Sequence, residues 1–219
     1  MAVRVNLPNI SRSLHCKLVI IKVLPTKTME NVMRKLSLAI TVCFAMGFVV
    51  PASSAKAAEI NSGLKPGDAP AAFQVQDVTG PAAGTKLCYR CRYGGNPVVA
   101  VFTHKIDDKV ASLVKKVDAE VAKNKDKKMK AFVVLLTDDP DHAEPKLKAL
   151  AEKNNIENVP LTIFDGPMGP LDYKLSDKAD VTVLMWVKSD VKVNRAFAPG
   201  QLDTASISAI VKDTSKILD

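Results

Sequence analysis

Two cysteines separated by two residues, Cys88 and Cys91 in Leu87-Cys-Tyr-Arg-Cys-Arg92, carry the most evident chemistry in this chain. Such a pair can close a small disulfide ring, exchange with other thiols, or supply two metal ligands. Position decides among these. Just past the C-terminal end of a βαβ strand, the following helix N-terminus stabilises a thiolate and the pair reads as a redox centre. Here the pair comes first, and five residues separate Cys91 from Pro97, which introduces the apolar run Val98-Val-Ala-Val-Phe102. A strand of that length spans about 16 Å at ~3.3 Å per residue, so the thiols are expected at its entry end, far from its exit.

Arg90 and Arg92 flank the thiols and would stabilise a thiolate, but nothing in the sequence places a helix N-terminus over either sulfur. The sequence therefore favours a structural disulfide that fixes a turn, and closing so short a ring contributes only ~2 kcal/mol by the loop-entropy relation. The alternative is a catalytic Cys88-Cys91 pair, because small rings of this kind are often strained and more readily reduced. A third reading is metal handling by Cys88 and Cys91 with His104 or His142. A structural zinc site needs four convergent ligands and the two histidines follow different strands, so no metal site and no cofactor is assigned.

Other residue types point to packing. Met185 and Trp186 fall inside an apolar strand and read as core, and the Asp138, Asp139 and Asp141 cluster reads as turn chemistry before a helix. No Ser/His/Asp constellation, phosphate-cradling glycine loop or zinc-protease motif is present.

The 219-residue chain carries a formal charge of +8, but that excess is unevenly placed. From Met33 to Ala57 the sequence reads as a secretory leader: Arg34 and Lys35, an apolar run from Leu36 to Val50, then small residues ending Ala55-Lys56-Ala57. Residues 1–32 read as an extended n-region, with Met33 a possible true start. The leader, 1–57, takes eight of the 31 basic residues and one of the 23 acidic ones, so the remainder is near neutral. The basicity is thus a targeting signature and not a footprint for nucleic acid. Export to the periplasm or beyond makes an oxidised Cys88-Cys91 pair the default, and the apolar run is short for a membrane span.

The remaining 58–219 suffice for one domain that needs no staple to fold. Phe73 to Asp77 and Thr85 to Leu87 read as an N-terminal hairpin across a Gly/Pro turn. Val98 to Phe102 and Ala131 to Leu136 read as fully buried parallel strands. Between them Val110, Leu113, Val114, Val117 and Val121 recur at helical spacing. Pro145 is expected to open a second helix, followed by a short strand at 159–164 and a Gly/Pro-rich loop to Asp180. Strands at 181–188 and 191–197 are expected to turn through Ser189-Asp190, and a last helix from Asp203 or Thr204 closes the chain. Strands alternating with helices imply a mixed α/β sheet covered on both faces.

Four segments carry a family resemblance. Leu64-Lys-Pro-Gly-Asp-Ala-Pro-Ala-Ala-Phe73, Asn96-Pro-Val-Val-Ala-Val-Phe102, Leu136-Thr-Asp-Asp-Pro140 and Asn158-Val-Pro-Leu-Thr-Ile-Phe-Asp-Gly166 resemble the opening, first core strand, second strand end and late segment of the peroxiredoxin (redoxin, alkyl-hydroperoxide-reductase type) branch of the thioredoxin-like superfamily. The resemblance implies a thioredoxin-like α/β fold: a mixed central sheet with flanking helices and an N-terminal hairpin. It also implies a peroxidatic cysteine after the first core strand, where this chain reads Thr103-His-Lys-Ile-Asp-Asp108. Standard peroxidase activity is therefore not expected. Nor is the cis-proline of a working thioredoxin site assigned to Val159-Pro160, which lies one element too early. The expectation is an exported thioredoxin-fold protein, a binding or scaffold domain with a Cys88-Cys91 disulfide and an envelope protein or thiol partner. A thiol-disulfide oxidoreductase or redox sensor is the alternative.

Overall fold

A computed structural model describes residues 60–218, so the leader read at 1–57 lies outside the described residues. Val98–Thr103 forms β3, buried at every position. Its residues are apolar on both sides because it runs through the middle of a seven-stranded sheet, between Lys130–Thr137 (β4, parallel) and Val181–Val187 (β6, antiparallel). Beyond β4 lie Leu161–Asp165 (β5, parallel), Val75–Asp77 (β1) and Lys86–Leu87 (β2). Beyond β6 lies Asp190–Phe197 (β7), giving the order β2-β1-β5-β4-β3-β6-β7.

Alternation along the strands sends side chains to two separate cores. Val99, Val101, Val133 and Met185 face the helices Asp108–Lys123 (α2), Pro140–Asn154 (α3), Thr204–Asp213 (α4) and Ser215–Leu218 (α5). Val98, Ala100, Phe102, Phe132 and Trp186 face the other way, onto Leu64, Tyr89 and Tyr173. The second face is thus covered by the short helix Tyr89–Tyr93 (α1), the N-terminal segment and a 3-10 turn at Leu171–Tyr173.

Helix starts follow cap chemistry. Asp107 accepts from Lys109 N and Val110 N at α2, and Asp203 accepts from Ser206 N at α4. At α3 the cap is Asp139 with Pro140 in the first turn, so the helix begins at Pro140 and Pro145 lies inside it. The Asp-Pro start signal outweighs the later proline. The β6–β7 turn also differs from expectation: Lys188 and Ser189 are its two central residues, both with positive φ (53° and 63°), while Asp190 already belongs to β7. Two left-handed residues match the twist of the flanking strands, which Ser-Asp would not mark in sequence. The expected last helix is divided at Thr214 into α4 and α5. The Val159-Pro160 bond is trans, since the described residues contain no cis peptide.

Candidate functional site

Cys88 is the N-cap of α1, and its Sγ accepts the Cys91 backbone N–H at 3.0 Å. The two residues form a disulfide with Cα atoms 5.2 Å apart. Cys88 is half-buried and Cys91 is exposed. The expectation that no helix N-terminus lies over either sulfur is therefore overturned. The signal was hidden because α1 has five residues and its cap is a sulfur where Ser, Thr, Asn or Asp is usual.

Three anchors hold α1 in place. Tyr89 and Tyr93, one turn apart, pack their rings against Phe132 at centroid distances of 5.5 and 6.2 Å. The Tyr89 hydroxyl donates to Asp77 Oδ2 at 2.8 Å, and the fully buried Asp77 carboxylate also accepts from Gly80 N and Ala82 N, each at 2.8 Å. A side chain at position 80 would collide with that hydroxyl and carboxylate, so glycine is required there. Burial, and then the bond to Asp77, push the Tyr89 hydroxyl far above its ordinary pKa. The third anchor is Arg90, whose Nε donates to Pro70 O at 2.9 Å and whose Nη2 donates to Ser189 Oγ at 3.0 Å. Its guanidinium is thus engaged by oxygens. Arg92 is exposed and has no side-chain partner among the described residues.

These contacts fix the pair at the entry end of the sheet, as its spacing from β3 implied. Lys188 N donates to Gly95 O at 3.0 Å, and Lys130 N, at the start of β4, donates to Pro97 O at 2.8 Å. At the opposite end, the segment after β3 holds His104 between two carbonyls: Nδ1 lies 3.0 Å from Ala179 O and Nε2 lies 2.9 Å from Pro167 O. Lys105 pairs with Asp180, which raises its pKa above the ordinary lysine value. His142 Nδ1 lies 2.9 Å from Asp139, and its hydrogen bond holds that carboxyl below the usual range. A cleft of about 360 Å³ separates His104 from His142, with no cysteine in its lining. Among the described residues no three His, Cys, Asp or Glu side chains converge as for a metal ion.

Two positioning residues were not legible beforehand. Asp77 precedes Thr79-Gly80-Pro81, a pattern that signals an Asx-type turn, but its bond to Tyr89 joins elements that no local rule connects. Asp118, on α2, accepts from Glu157 N, Asn158 N and Val159 N at 3.1, 2.6 and 3.0 Å, and from Asn158 Nδ2 at 3.0 Å. Four residues after Val114 in the helical stripe, a carboxylate at a core-facing position was the only sequence-level hint, and the structure shows it buried and fully engaged.

In a thiol exchange the exposed Cys91 would be the point of attack in α1 and Cys88 the leaving group, its Sγ already accepting a backbone N–H that would stabilise a thiolate.

No protein-family model matches the chain, and no curated protein matches it. Solved structures do. A candidate protein disulfide isomerase from Bacteroides thetaiotaomicron superposes with a TM-score of 0.56 at 14% identity, over 73% of this chain and 94% of that one. A candidate thiol:disulfide interchange protein DsbE from Chlorobium tepidum gives 0.55 at 16% identity, over 71% and 99%. A yeast mitochondrial 1-Cys peroxiredoxin gives 0.51 at 11% identity, over 69% and 75%. Identities this low speak for architecture alone. With its mixed seven-stranded sheet and flanking helices, the chain has the thioredoxin-like fold.

Proposed function

We propose that this protein is an exported thiol-disulfide exchange protein that works from a displaced site, the Cys88-Cys91 pair at the start of α1. The observation that carries the reading is the exposed Cys91 bonded to a Cys88 sulfur that accepts the Cys91 N–H at 3.0 Å. A partner thiolate attacks Cys91 Sγ, the Cys88-Cys91 bond breaks, and Cys88 departs as a thiolate held by that N–H. A second thiolate of the partner then attacks its own sulfur in the mixed disulfide and releases Cys91. The partner dithiol is oxidised to a disulfide and this protein's pair is reduced, with two electrons transferred; run backwards, the same steps reduce a partner disulfide. Peroxidase chemistry is not proposed, because 103–108 offers no thiol at the opposite end of the sheet. The leader-like 1–57 supports a periplasmic or secreted location, where such exchange has partners.

A second reading, a binding or scaffold domain with a structural disulfide, is supported by the three anchors that immobilise α1 through Phe132, Asp77 and the Arg90 bonds. Metal handling would need further ligands beside the two sulfurs, and no described side chain joins them as one.

The test is the reduction potential of the couple, obtained by equilibrating the protein in glutathione and dithiothreitol buffers and counting reduced cysteines by mass. A potential near roughly −200 mV, with insulin reduction lost in Cys91→Ser, is expected for an exchanger. A potential below about −300 mV with no such activity would return the pair to the scaffold reading.

A further inference from the structure

The residue after Cys91 forms the wall of a groove that the proposed chemistry does not use. The groove holds about 700 Å³, within the range of ligand sites, between the β1–β2 turn, the end of α1, the α2–β4 connection and the segment before β5. Its floor is apolar, with Met129 and Val159 almost fully buried. Its rim carries Arg92, Lys125 and Lys130, and the only acid lining it is Glu157.

None of these three cations forms a salt bridge with any described residue, so their charge is not neutralised within the domain. The rim is also fixed: Asp118 holds the backbone of Glu157, Asn158 and Val159 with three hydrogen bonds, so that side of the groove needs no ordering when a ligand enters. An apolar floor under three unpaired cations complements a chain segment that carries both apolar and acidic side chains. Arg92 directly follows Cys91, so a segment held at this rim lies against the helix that carries the disulfide.

We infer that this groove docks an acidic, apolar segment of the partner polypeptide and thereby selects the thiols that reach Cys91. The inference rests on the exchange reading for the thiol, but not for the docking itself. Two measurements on the described domain in its full chain separate them. In the first, a fluorescent pentapeptide with two glutamates, two leucines and a serine is titrated by anisotropy against the oxidised protein, alongside its dilysine counterpart. In the second, the same peptides with cysteine in place of serine are followed by mass for the mixed disulfide with Cys91 and for the reduced pair and peptide disulfide that form when a second peptide thiol attacks it.

The acidic peptide is expected to bind and react at least about tenfold better at low salt, at the low end of electrostatic guidance, and to lose that advantage in high salt. Lys125→Glu, a fully surface change, should erase most of the preference, and adding Arg92→Glu should reverse it. Equal binding of the two peptides, or a preference untouched by both charge reversals, overturns the groove. Retained selective binding with neither a mixed disulfide nor a reduced pair supports the groove and overturns the exchange reading instead.

Discussion

Replacing Tyr89 by Phe removes one oxygen and tests whether α1 is held by its buried hydrogen bond. The hydroxyl donates at 2.8 Å to Asp77, a carboxylate with no exposure to solvent, and its loss leaves Oδ2 with Ala82 N as its remaining donor. A hydrogen bond to a charged buried group contributes about 1.5–3 kcal/mol. For a domain of this size each kcal/mol moves the melting temperature by roughly 2–4 °C, so Tyr89→Phe should melt roughly 3–12 °C lower. Tyr93→Phe is the control. Its ring packs on the same Phe132, but its hydroxyl lies 3.4 Å from Ala131 O, outside the 2.5–3.0 Å range of a good O–H···O bond. That change should cost less than about 0.5 kcal/mol and shift melting by no more than ~2 °C. Thermal denaturation by circular dichroism of the three oxidised proteins reads both effects, and the ring contacts cancel in the comparison. Equal shifts for the two variants, or an unaltered melting point for Tyr89→Phe, would refute the assignment of the Asp77 bond as the anchor of α1.

Two further outcomes follow from other buried carboxylates. Asp118→Ala strands the buried Val159 N–H and the neighbouring amides, so a loss of roughly 3–4 kcal/mol is expected from denaturant midpoints, with selective peptide binding weakened in the same variant; a change below about 1 kcal/mol would show that 157–159 holds its shape unaided. Burial raises the Asp213 pKa, but hydrogen bonds from Lys216 and Arg195 outweigh it and hold the carboxyl below the usual range. The folded value lies below the unfolded one, so the unfolded chain takes up the proton first: the contribution is complete above about pH 4 and is lost as pH falls through the folded value. Urea midpoints between pH 2 and 5 should therefore fall less steeply in Asp213→Asn than in the parent, and parallel curves would refute the linkage.

The elements that a local period can encode were readable in the chain. The continuous apolar run at 98–102 reads as a strand buried on both faces, and the valines and Leu113 of α2 recur at helical spacing. The position of the thiols at the entry end of β3 also followed from chain order, because the pair directly precedes the strand and only a linker doubling back along it would carry the pair to the far end. What the sequence could not announce was α1. A five-residue helix is too short for periodicity, and a cysteine cap gives no start signal, so it exists only because Tyr89 and Tyr93 find Phe132 and because Asp77 accepts the hydroxyl from across the hairpin. The same holds for the rim of the groove. Arg92, Lys125 and Lys130 are ordinary surface cations one by one, and the convergence of α1, the α2–β4 connection and the start of β4 makes them a single charged edge. Burial periodicity is a property of neighbours along the chain. The chemistry of this surface depends on which distant residues the sheet brings together, and that was decided by tertiary packing.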